Sequence, residues 1–305
     1  MISAEAVRRL VDRELVGATE ALDGLVEVLD LSRSNGVFLV SVAGVPRCVV
    51  KHHSAPLEDH DPFDAERSAY AWFGHDQALA PRLLHADTSS RMLVLEAITG
   101  AVPLHEARNT PGALRALARL LAGLHARDGA GLPARRPWIL DLPHRQVVPP
   151  GELVDRVMTC TPVLRAIEEL GHRWRPHAPV HGDVKFDNVL VAAPDDLWLV
   201  DWEFAGLGEP AWDLAGIVDG VAVAAALTGP VVPEAVLRDA SPALSAYRDE
   251  SGDTTPGHLA HAVIARLTQS VFQLSAYSKE QALLMLDMVH DWAARDLWTA
   301  DELAR

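Results

Sequence analysis

One stretch of this 305-residue chain indicates its fold more clearly than any other: His181-Gly182-Asp183-Val184-Lys185-Phe186-Asp187-Asn188. Two short apolar segments, Val189–Val191 and Leu197–Val200, follow it and flank the polar turn Ala193-Pro194-Asp195-Asp196. The second segment leads directly into Asp201-Trp202-Glu203. Apolar segments on either side of a polar turn predict a β-hairpin, so a polar loop, a hairpin and an acidic segment follow one another here.

Asp183, Asn188 and Asp201 are the residues of this region that suggest chemistry. Phosphate transfer from ATP needs a carboxylate that accepts the proton of the attacking hydroxyl, and oxygen ligands that hold Mg²⁺. Asp183 and Asn188 lie five residues apart on one loop, and the hairpin is expected to bring Asp201 beside Asn188. Each residue alone is a common turn former. Their combination with the hairpin favours the catalytic interpretation.

The loop and the segments after it resemble the aminoglycoside phosphotransferase and choline kinase group, a branch of the protein-kinase-like fold. The matching segments are Leu199-Val200-Asp201-Trp202-Glu203-Phe204-Ala205-Gly206 and Pro210-Ala211-Trp212-Asp213-Leu214-Ala215. These specific motifs occupy Val180–Ala215, while the order of predicted elements is similar along nearly the whole chain.

The resemblance implies an ATP- and Mg²⁺-dependent phosphotransferase with an alcohol as acceptor. It implies that Asp183 is the catalytic base and that Asn188 and Asp201 hold the metal ion. His181 would brace the loop His181–Asn188, which we call the catalytic loop. Glu203 would assist the metal site or the substrate pocket, and Asp213 would tie its helix to the catalytic loop.

The first hundred residues are predicted to be rich in strands. The apolar segments that predict strands are Leu25–Leu31, Val37–Val42, Arg47–Lys51, Arg82–Ala86 and Met92–Ile98, with helices at Ser3–Gly17 and Asp64–Phe73. Lys51 ends the third strand, where kinases place a lysine that neutralises the α- and β-phosphates. Glu66 on the following helix is its expected partner, because Asp64 lies on a different helical face.

The adenine and phosphate contacts are predicted from position alone. The turn containing Ser34, Asn35 and Gly36 lies between the first two strands, where its backbone N–H groups are expected to cover the phosphates. The Gly-x-Gly-x-x-Gly pattern of protein kinases is missing from this turn. Backbone groups of Glu96 and Ile98 are expected to meet the adenine, where the chain leaves the strand-rich part.

The rest of the chain is predicted to be mainly helical. Its helices are expected at Pro111–Arg127, Ala211–Leu227, Pro233–Asp249, Gly257–Ala276 and Glu280–Trp298, with a long loop over Asp128–Gly151. The predicted fold is therefore α+β and bilobal: a small antiparallel-sheet lobe at residues 1–98, a large helical lobe at residues 99–305, and ATP between them.

The sequence leaves the phosphate acceptor open. Lys185 lies two residues after Asp183, where protein kinases also carry a lysine that contacts the transferring phosphate. A catalytic lysine and an exposed loop lysine are both consistent with it. A small hydroxylated molecule is the first expectation, a precursor peptide phosphorylated at Ser or Thr the second, and a pseudokinase binding subunit the third.

Composition excludes several other classes. A net charge of -15 argues against nucleic-acid binding, and the sequence predicts no membrane span. Only Cys48 and Cys160 are present, so no disulfide framework is expected. Because the N-terminus shows no signal peptide, a cytoplasmic location is predicted.

The histidines do not suggest a metal site. Prolines separate His172, His177 and His181, which argues against a zinc site. His52, His53 and His60 are expected to be solvated. Protein partners cannot be predicted from the sequence.

Overall fold

The computed structural model describes residues 4–32, 35–56, 60–74, 78–108, 110–144, 151–193, 195–252 and 259–295. The chain divides into two compact units. The N-terminal unit comprises Met1–Ala101 together with Trp198–Phe204, and the C-terminal unit comprises Val102–Leu197 together with Ala205–Arg305. The segment carrying Asp201 and Glu203 therefore belongs to the N-terminal unit, although it lies far along the chain.

The N-terminal unit is built on a five-stranded antiparallel sheet. Its elements in chain order are α1 (Ala4–Asp12), α2 (Ala18–Leu22), β1 (Val26–Asp30), β2 (Gly36–Val42), β3 (Val45–His52), α3 (Pro62–Phe73), β4 (Leu83–Asp87) and β5 (Met92–Glu96). The strand order is β1-β2-β3-β5-β4. All five predicted strands are confirmed, whereas the predicted helix Ser3–Gly17 ends at Asp12.

Strand β3 is central in this sheet, and that position fixes Lys51. Lys51 pairs with Val37 of β2 on one side and with Leu93 of β5 on the other. Side chains alternate along a strand, so Cys48 and Val50 pack into the apolar core and Lys51 points to the opposite face. Hydrogen bonding on both sides holds the backbone of the lysine rigidly.

Helix α3 carries Glu66 on its buried face. The helix begins after Asp61, whose side chain accepts a hydrogen bond from the Asp64 N–H at 3.1 Å, a common N-cap arrangement. Phe73 at its end contacts the Trp202 ring edge-on, with ring centroids 4.5 Å apart. The apolar face buries Glu66 completely, so its carboxylate requires partners within the protein.

The C-terminal unit is mainly helical, with short strands. Its elements are β6 (Val102–Pro103), α4 (Thr110–His125), α5 (Glu152–Thr159), α6 (Thr161–Arg173), β7 (Ala178–Val180), β8 (Val189–Ala193), β9 (Asp196–Leu199), β10 (Gly206–Gly208), α7 (Pro210–Ala226), α8 (Pro233–Ser251), α9 (Leu259–Ser275) and α10 (Lys279–Arg295). Helices α4 and α7 to α10 were predicted. The sequence prediction missed α5 and α6, and a 3₁₀ helix at Trp138–His144 occupies part of the predicted loop.

Two glycines of α7 let the catalytic loop lie directly on the helix. A Cβ atom at Gly216 would lie 2.4 Å from the backbone oxygen of Val184, and one at Gly220 would lie 2.3 Å from the Phe186 ring. Any larger residue at these positions would displace the loop. Helix α7 is apolar and buried along most of its length, yet none of the helices in the described ranges has the length and apolarity of a membrane span.

Candidate active site

A buried lysine stands at the centre of the site in the N-terminal unit. The Nζ atom of Lys51 lies 2.5 Å from Oε2 of Glu66, contacts the carboxylate of Asp201, and lies 3.8 Å from Oε2 of Glu203. The structure thus forms the predicted pair between Lys51 and Glu66. We call these four residues, with His53 and Asn35, the Lys51 cluster.

Glu66 connects three parts of the N-terminal unit. Its Oε2 atom receives Lys51 and also lies 2.6 Å from Nε2 of His53, while its Oε1 atom accepts a hydrogen bond from the Trp202 N–H at 3.3 Å. Strand β3, helix α3 and the Asp201 segment are therefore joined at one carboxylate. This explains how the completely buried Glu66 is satisfied.

The prediction that His52, His53 and His60 are solvated is wrong for His53. Its backbone continues the β3 pairing through a 3.0 Å hydrogen bond to the Arg91 oxygen, so His53 lies two residues from Lys51 on the same face. That face is buried, and His53 with it. His60 is also partly covered, since its ring stacks on Phe204 with centroids 5.1 Å apart. The alternation of side chains along the strand was the signal in the sequence that places His53 on the same face as Lys51.

Charge in the Lys51 cluster is unbalanced. Burial alone would lower the pKa of Lys51, but Glu66, Asp201 and Glu203 together raise it above its ordinary value. Burial favours a raised pKa for Glu66, and the charge of Lys51 with the contact to His53 reverses this and lowers it. The pKa of Glu203 is raised by burial and by the neighbouring Asp201. Three carboxylates thus face one lysine.

Asp201 has a strained backbone. Its φ angle is 68°, in the left-handed region that residues with a side chain rarely adopt. The ion pair with Lys51 holds its side chain, and the Trp202 indole donates a 2.9 Å hydrogen bond to the Leu199 oxygen beside it. Strain of this kind persists only where the surroundings enforce it and is concentrated at functional sites.

The predicted phosphate-covering turn is tied to the same cluster. Ser34 lies outside the described residues. The side-chain nitrogen of Asn35 donates to Oε2 of Glu203 at 2.8 Å, and its oxygen accepts from the Ser54 N–H at 3.3 Å. Gly36 begins β2. Asn35 thus holds Glu203 in place, and phosphate binding by the backbone of this turn stays a prediction.

The structure places the predicted adenine contacts at the end of β5. The N–H group of Glu96 donates to the Arg82 oxygen at 2.8 Å, so it is already used within the sheet. The oxygen of Ile98 accepts from the Ala101 N–H at 3.4 Å. Adenine binding by the remaining backbone groups of Glu96 and Ile98 stays a prediction.

In the C-terminal unit, Asp213 anchors the catalytic loop. Its two carboxylate oxygens accept hydrogen bonds from the backbone N–H groups of His181 and Gly182, at 2.7 and 2.9 Å. His125 Nε2 lies 3.2 Å from the same carboxylate. Burial opposes ionisation, but these contacts, led by His125, lower the pKa of Asp213 below its ordinary value. Asp213 ties α7 to the loop, as the resemblance implied.

His181 braces the loop from within. It is completely buried, and its Nδ1 atom accepts a 3.3 Å hydrogen bond from the backbone N–H of Asp183. The preceding turn needs glycine, since Gly182 has a φ of 82°. Trp212 donates its indole N–H to the Gly182 oxygen at 2.9 Å. The backbone leading to Asp183 is therefore fixed from several sides.

The carboxylate of Asp183 is held between two cations. Nη2 of Arg266 donates to Oδ1 at 2.9 Å, and Nζ of Lys185 lies 2.8 Å from Oδ2. The amide nitrogen of Asn188 donates to the Asp183 backbone oxygen at 3.0 Å and to Oδ2 at 3.2 Å. We call these residues, with Asp219 and Ser270, the Asp183 cluster.

Arg266 is a second site residue that the sequence analysis missed, after His53. It lies in α9 with 1 % of its surface exposed, and it contacts Asp183, the Val184 oxygen and Asp219. Its guanidinium also lies over the Trp212 ring, 5.5 Å from the centroid. An arginine within the apolar stretch Ala262–Leu267 was the available signal, because a buried arginine requires a carboxylate.

The two carboxylates of the Asp183 cluster have opposite pKa shifts. Burial would raise the pKa of Asp183, but the charges of Lys185 and Arg266 lower it well below its ordinary value. Burial raises the pKa of Asp219 to about 6, against the opposing charge of Arg266. Asp183 is therefore ionised throughout the neutral range. A carboxylate with so low a pKa is better suited to orient a hydroxyl group than to remove the proton of that hydroxyl early in the reaction.

Among the described residues, one group of side chains has the spacing of a metal site: His53, Glu66 and Glu203, whose ligand atoms all lie within 4.8 Å of one another. Lys51 already binds Glu66 at the same place. The predicted ligands Asp201 and Asn188 belong to the N-terminal and C-terminal unit, respectively. Their expected place beside each other stays a prediction.

Solved structures with a similar fold include choline kinases and an aminoglycoside phosphotransferase. A choline/ethanolamine kinase family protein from Mesorhizobium loti is 19% identical with a TM-score of 0.60, and the match covers 96% of this chain and 97% of that one. Choline kinase LicA from Streptococcus pneumoniae is 18% identical with a TM-score of 0.63, covering 91% and 97%. These likenesses confirm the predicted kinase-like fold.

A thermostable mutant of aminoglycoside phosphotransferase APH(4)-Ia, in ternary complex with ADP and hygromycin B, is 16% identical with a TM-score of 0.64. The match covers 93% of this chain and 99% of that one. None of the curated protein sequences matches the chain. The model of the phosphotransferase enzyme family matches residues 26–249, which include both clusters except Arg266 and Ser270. This chain belongs to the phosphotransferase enzyme family, and the predicted class of enzyme is confirmed.

Proposed function

We propose that this phosphotransferase moves the γ-phosphate of ATP to the hydroxyl group of a small-molecule acceptor. The observation that carries the proposal is the buried Lys51, paired with both Glu66 and Asp201. A lysine held in this way is positioned to neutralise phosphate oxygens, as in other ATP-dependent phosphotransferases. Glu66 and His53 position the lysine, and Asp201 stands beside it.

The excess of carboxylates suits a divalent cation in the Lys51 cluster. Glu203 and Asp201 are half-buried near one lysine, and the raised pKa of Glu203 reflects burial and the charge of Asp201. In the C-terminal unit, Asn188 uses its amide nitrogen to bond Asp183, which leaves its side-chain oxygen for a ligand. We assign Asp201 and Asn188 as the Mg²⁺ ligands, with Glu203 assisting. Bound Mg²⁺ would neutralise the charge on the β- and γ-phosphates.

Asp183 acts on the acceptor. Its ionised carboxylate accepts a hydrogen bond from the acceptor hydroxyl and orients the oxygen for attack. Lys185, 2.8 Å from Oδ2 and 37% exposed in its side chain, stabilises negative charge as the phosphate is transferred. A low pKa is adequate here, because a loose transition state needs little removal of the proton before the phosphate arrives.

The family and the similar structures favour a small acceptor. Choline kinases and an enzyme bound to hygromycin B share the fold, although the identities are below 20%. Lys185 does not separate a small molecule from a peptide, since its ion pair with Asp183 serves transfer to either. Lys51, Asp183, Asn188 and Asp201 are all present, which argues against a pseudokinase.

The test is transfer of phosphate from ATP, in the presence of Mg²⁺, to a panel of acceptors. The panel contains choline, ethanolamine, hygromycin B and other aminoglycosides, hexoses, and Ser/Thr-rich peptides, with the products identified by mass spectrometry. We expect one class of small alcohol to become a phosphate monoester, and the Asp183→Asn variant to be the matched inactive control. Phosphorylation of the peptides alone would establish the peptide-kinase alternative. Binding of ATP without transfer to any acceptor, water included, would contradict the proposal.

A further inference from the structure

Arg266 is buried where a charge is costly to place. It lies on α9, a helix whose neighbouring residues are apolar, and 1 % of its surface is exposed. Its Nη1 atom and the Oδ1 atom of Asp219 have no hydrogen-bond partner in the described part of the chain. Stability alone does not explain such a residue, because apolar side chains of similar volume often stabilise a protein more than a buried ion pair.

The contacts of Arg266 point to the catalytic loop. Nη2 donates to Oδ1 of Asp183 at 2.9 Å and to the backbone oxygen of Val184 at 3.2 Å. One guanidinium nitrogen thus holds both the side chain of Asp183 and the backbone after it. This is the geometry of a group that fixes the rotamer of a carboxylate.

Asp219 and Ser270 hold Arg266 in turn. Nε of Arg266 lies 3.4 Å from Oδ2 of Asp219, and the hydroxyl of Ser270 donates to the same oxygen at 2.8 Å. Asp219 lies on α7, the helix that also carries the loop anchor Asp213. Two packed helices, α7 and α9, therefore determine where the guanidinium lies.

We propose that Arg266 is a positioning residue for phosphate transfer, which divides the two oxygens of Asp183 between a structural and a chemical role. Oδ1 accepts its hydrogen bond from the buried Arg266. Oδ2 lies against Lys185, whose side chain is 37% exposed, and accepts a 3.2 Å hydrogen bond from the Asn188 amide. The inference rests on the proposed function and adds the atom at which the proton is accepted.

These roles of the two oxygens define the phosphate-transfer step atom by atom. The acceptor oxygen forms its bond to the γ-phosphorus as the bond from that phosphorus to the β–γ bridging oxygen breaks, and ADP leaves with the electron pair. The proton of the acceptor hydroxyl passes to Oδ2 of Asp183. With its Oδ1 held by Arg266, the carboxylate cannot rotate away from the acceptor.

The experiment is a double-mutant comparison of Arg266→Met with Asp183→Asn. Phosphate transfer from ATP is measured with the fastest acceptor of the panel, water included as an acceptor. We expect Arg266→Met to lower kcat roughly 10- to 100-fold while the KM for ATP changes less than about twofold. In the Asp183→Asn background the same substitution is expected to change kcat little, because no carboxylate remains to be positioned.

Two further variants separate positioning from folding. Arg266→Lys keeps the charge and is expected to restore part of kcat, and Arg266→Met combined with Asp219→Asn avoids an unpaired buried carboxylate. Arg238→Met, at an exposed arginine of α8 with 73% of its side chain accessible, is the matched control. An unchanged kcat in Arg266→Met, or the same loss with and without Asp183, would overturn the inference. Undiminished turnover of Asp183→Asn alone would instead overturn the proposed function.

Discussion

The Lys51 cluster and the Asp183 cluster differ in their balance of charge. In the Lys51 cluster, Glu66, Asp201 and Glu203 face a single lysine, and His53 shares Glu66. In the Asp183 cluster, two carboxylates face two cations, Lys185 and Arg266. Excess negative charge suits the binding of a metal ion, while a balanced cluster suits the orientation of a neutral hydroxyl.

The two clusters also differ in how they are constructed. Glu66 receives contacts from β3 and from the Asp201 segment, so a single carboxylate joins distant parts of the N-terminal unit. Asp183 is held by its own loop and by α9, with Asp213 anchoring the loop to α7. We infer that substitutions in the Lys51 cluster affect nucleotide and metal binding, and that substitutions in the Asp183 cluster affect the rate of the chemical step.

The largest expected effect is at Asp201. Asp201→Ala removes a proposed metal ligand and leaves Lys51 without one of its partners, so we expect turnover to fall roughly 10⁴-fold or more. Turnover with ATP is measured over a titration of Mg²⁺. Asp196→Ala, at an exposed residue of the preceding hairpin, is the control and should behave like the unmodified protein. Activity retained by Asp201→Ala at ordinary Mg²⁺ concentrations would contradict the role of the Lys51 cluster.

A smaller loss is expected at Lys51. Lys51→Met removes the charge that neutralises the phosphates, and we expect kcat/KM for ATP to fall on the order of 100-fold or more, with much of the loss in KM. Arg47→Met changes an exposed cation of the same strand and serves as the control. Steady-state kinetics with varied ATP measure the division between kcat and KM. A rise in the KM for the acceptor alone would contradict the assignment of Lys51 to nucleotide binding.

The pH dependence of stability provides a test of the Asp183 cluster through Asp219. Its folded pKa is raised to about 6 from 3.8, because burial disfavours the charged form. The folded state therefore binds the proton more tightly, and this contribution to stability is present below about pH 4 and is lost as the pH rises through about 6. Between those limits, the unmodified protein should lose up to about 3 kcal/mol relative to Asp219→Asn. Urea unfolding at several pH values measures the difference, and a difference that does not vary with pH would contradict the shift.

The smallest effect concerns the contact between α7 and the catalytic loop. A Cβ atom at Gly216 would meet the Val184 oxygen, so Gly216→Ala should destabilise the fold by about 1–3 kcal/mol and slow turnover. At Gly123, in α4, an added Cβ meets nothing within 4 Å. Gly123→Ala should therefore stabilise the helix by up to about 1 kcal/mol. Thermal unfolding of both variants provides the comparison, and equal effects would show that the loop does not depend on this contact.

The sequence predicted most of the N-terminal unit, because alternation and turn residues are local signals. It also predicted the partner of Lys51, since the order of strand and helix determines which acidic residue follows. His53 was missed because it lies next to a loop rich in Pro and Asp, although its spacing from Lys51 places both on one face. The return of Trp198–Phe204 to the N-terminal unit is tertiary and has no local signal.

In the C-terminal unit the sequence analysis named Asp183, Lys185 and Asn188 but not Arg266, Asp219 and Ser270. Arg266 lies 83 residues further along the chain, and only packing of α9 brings it to the carboxylate. Helices α5 and α6 were missed although their apolar residues have helical spacing, because Cys160 and Pro162 interrupt the pattern between them. Long-range packing thus accounts for the contact between Arg266 and Asp183, which the prediction lacked.

Asp183→Asn is the most direct test of the account, because it removes the charge of the carboxylate and keeps its shape. Phosphate transfer from ATP to the preferred acceptor of the panel is compared with that of the unmodified protein, at saturating ATP. We predict a kcat lower by roughly two to four powers of ten, with the KM for ATP unchanged. Undiminished transfer by Asp183→Asn would show that this carboxylate does not act on the acceptor and would contradict the proposed mechanism.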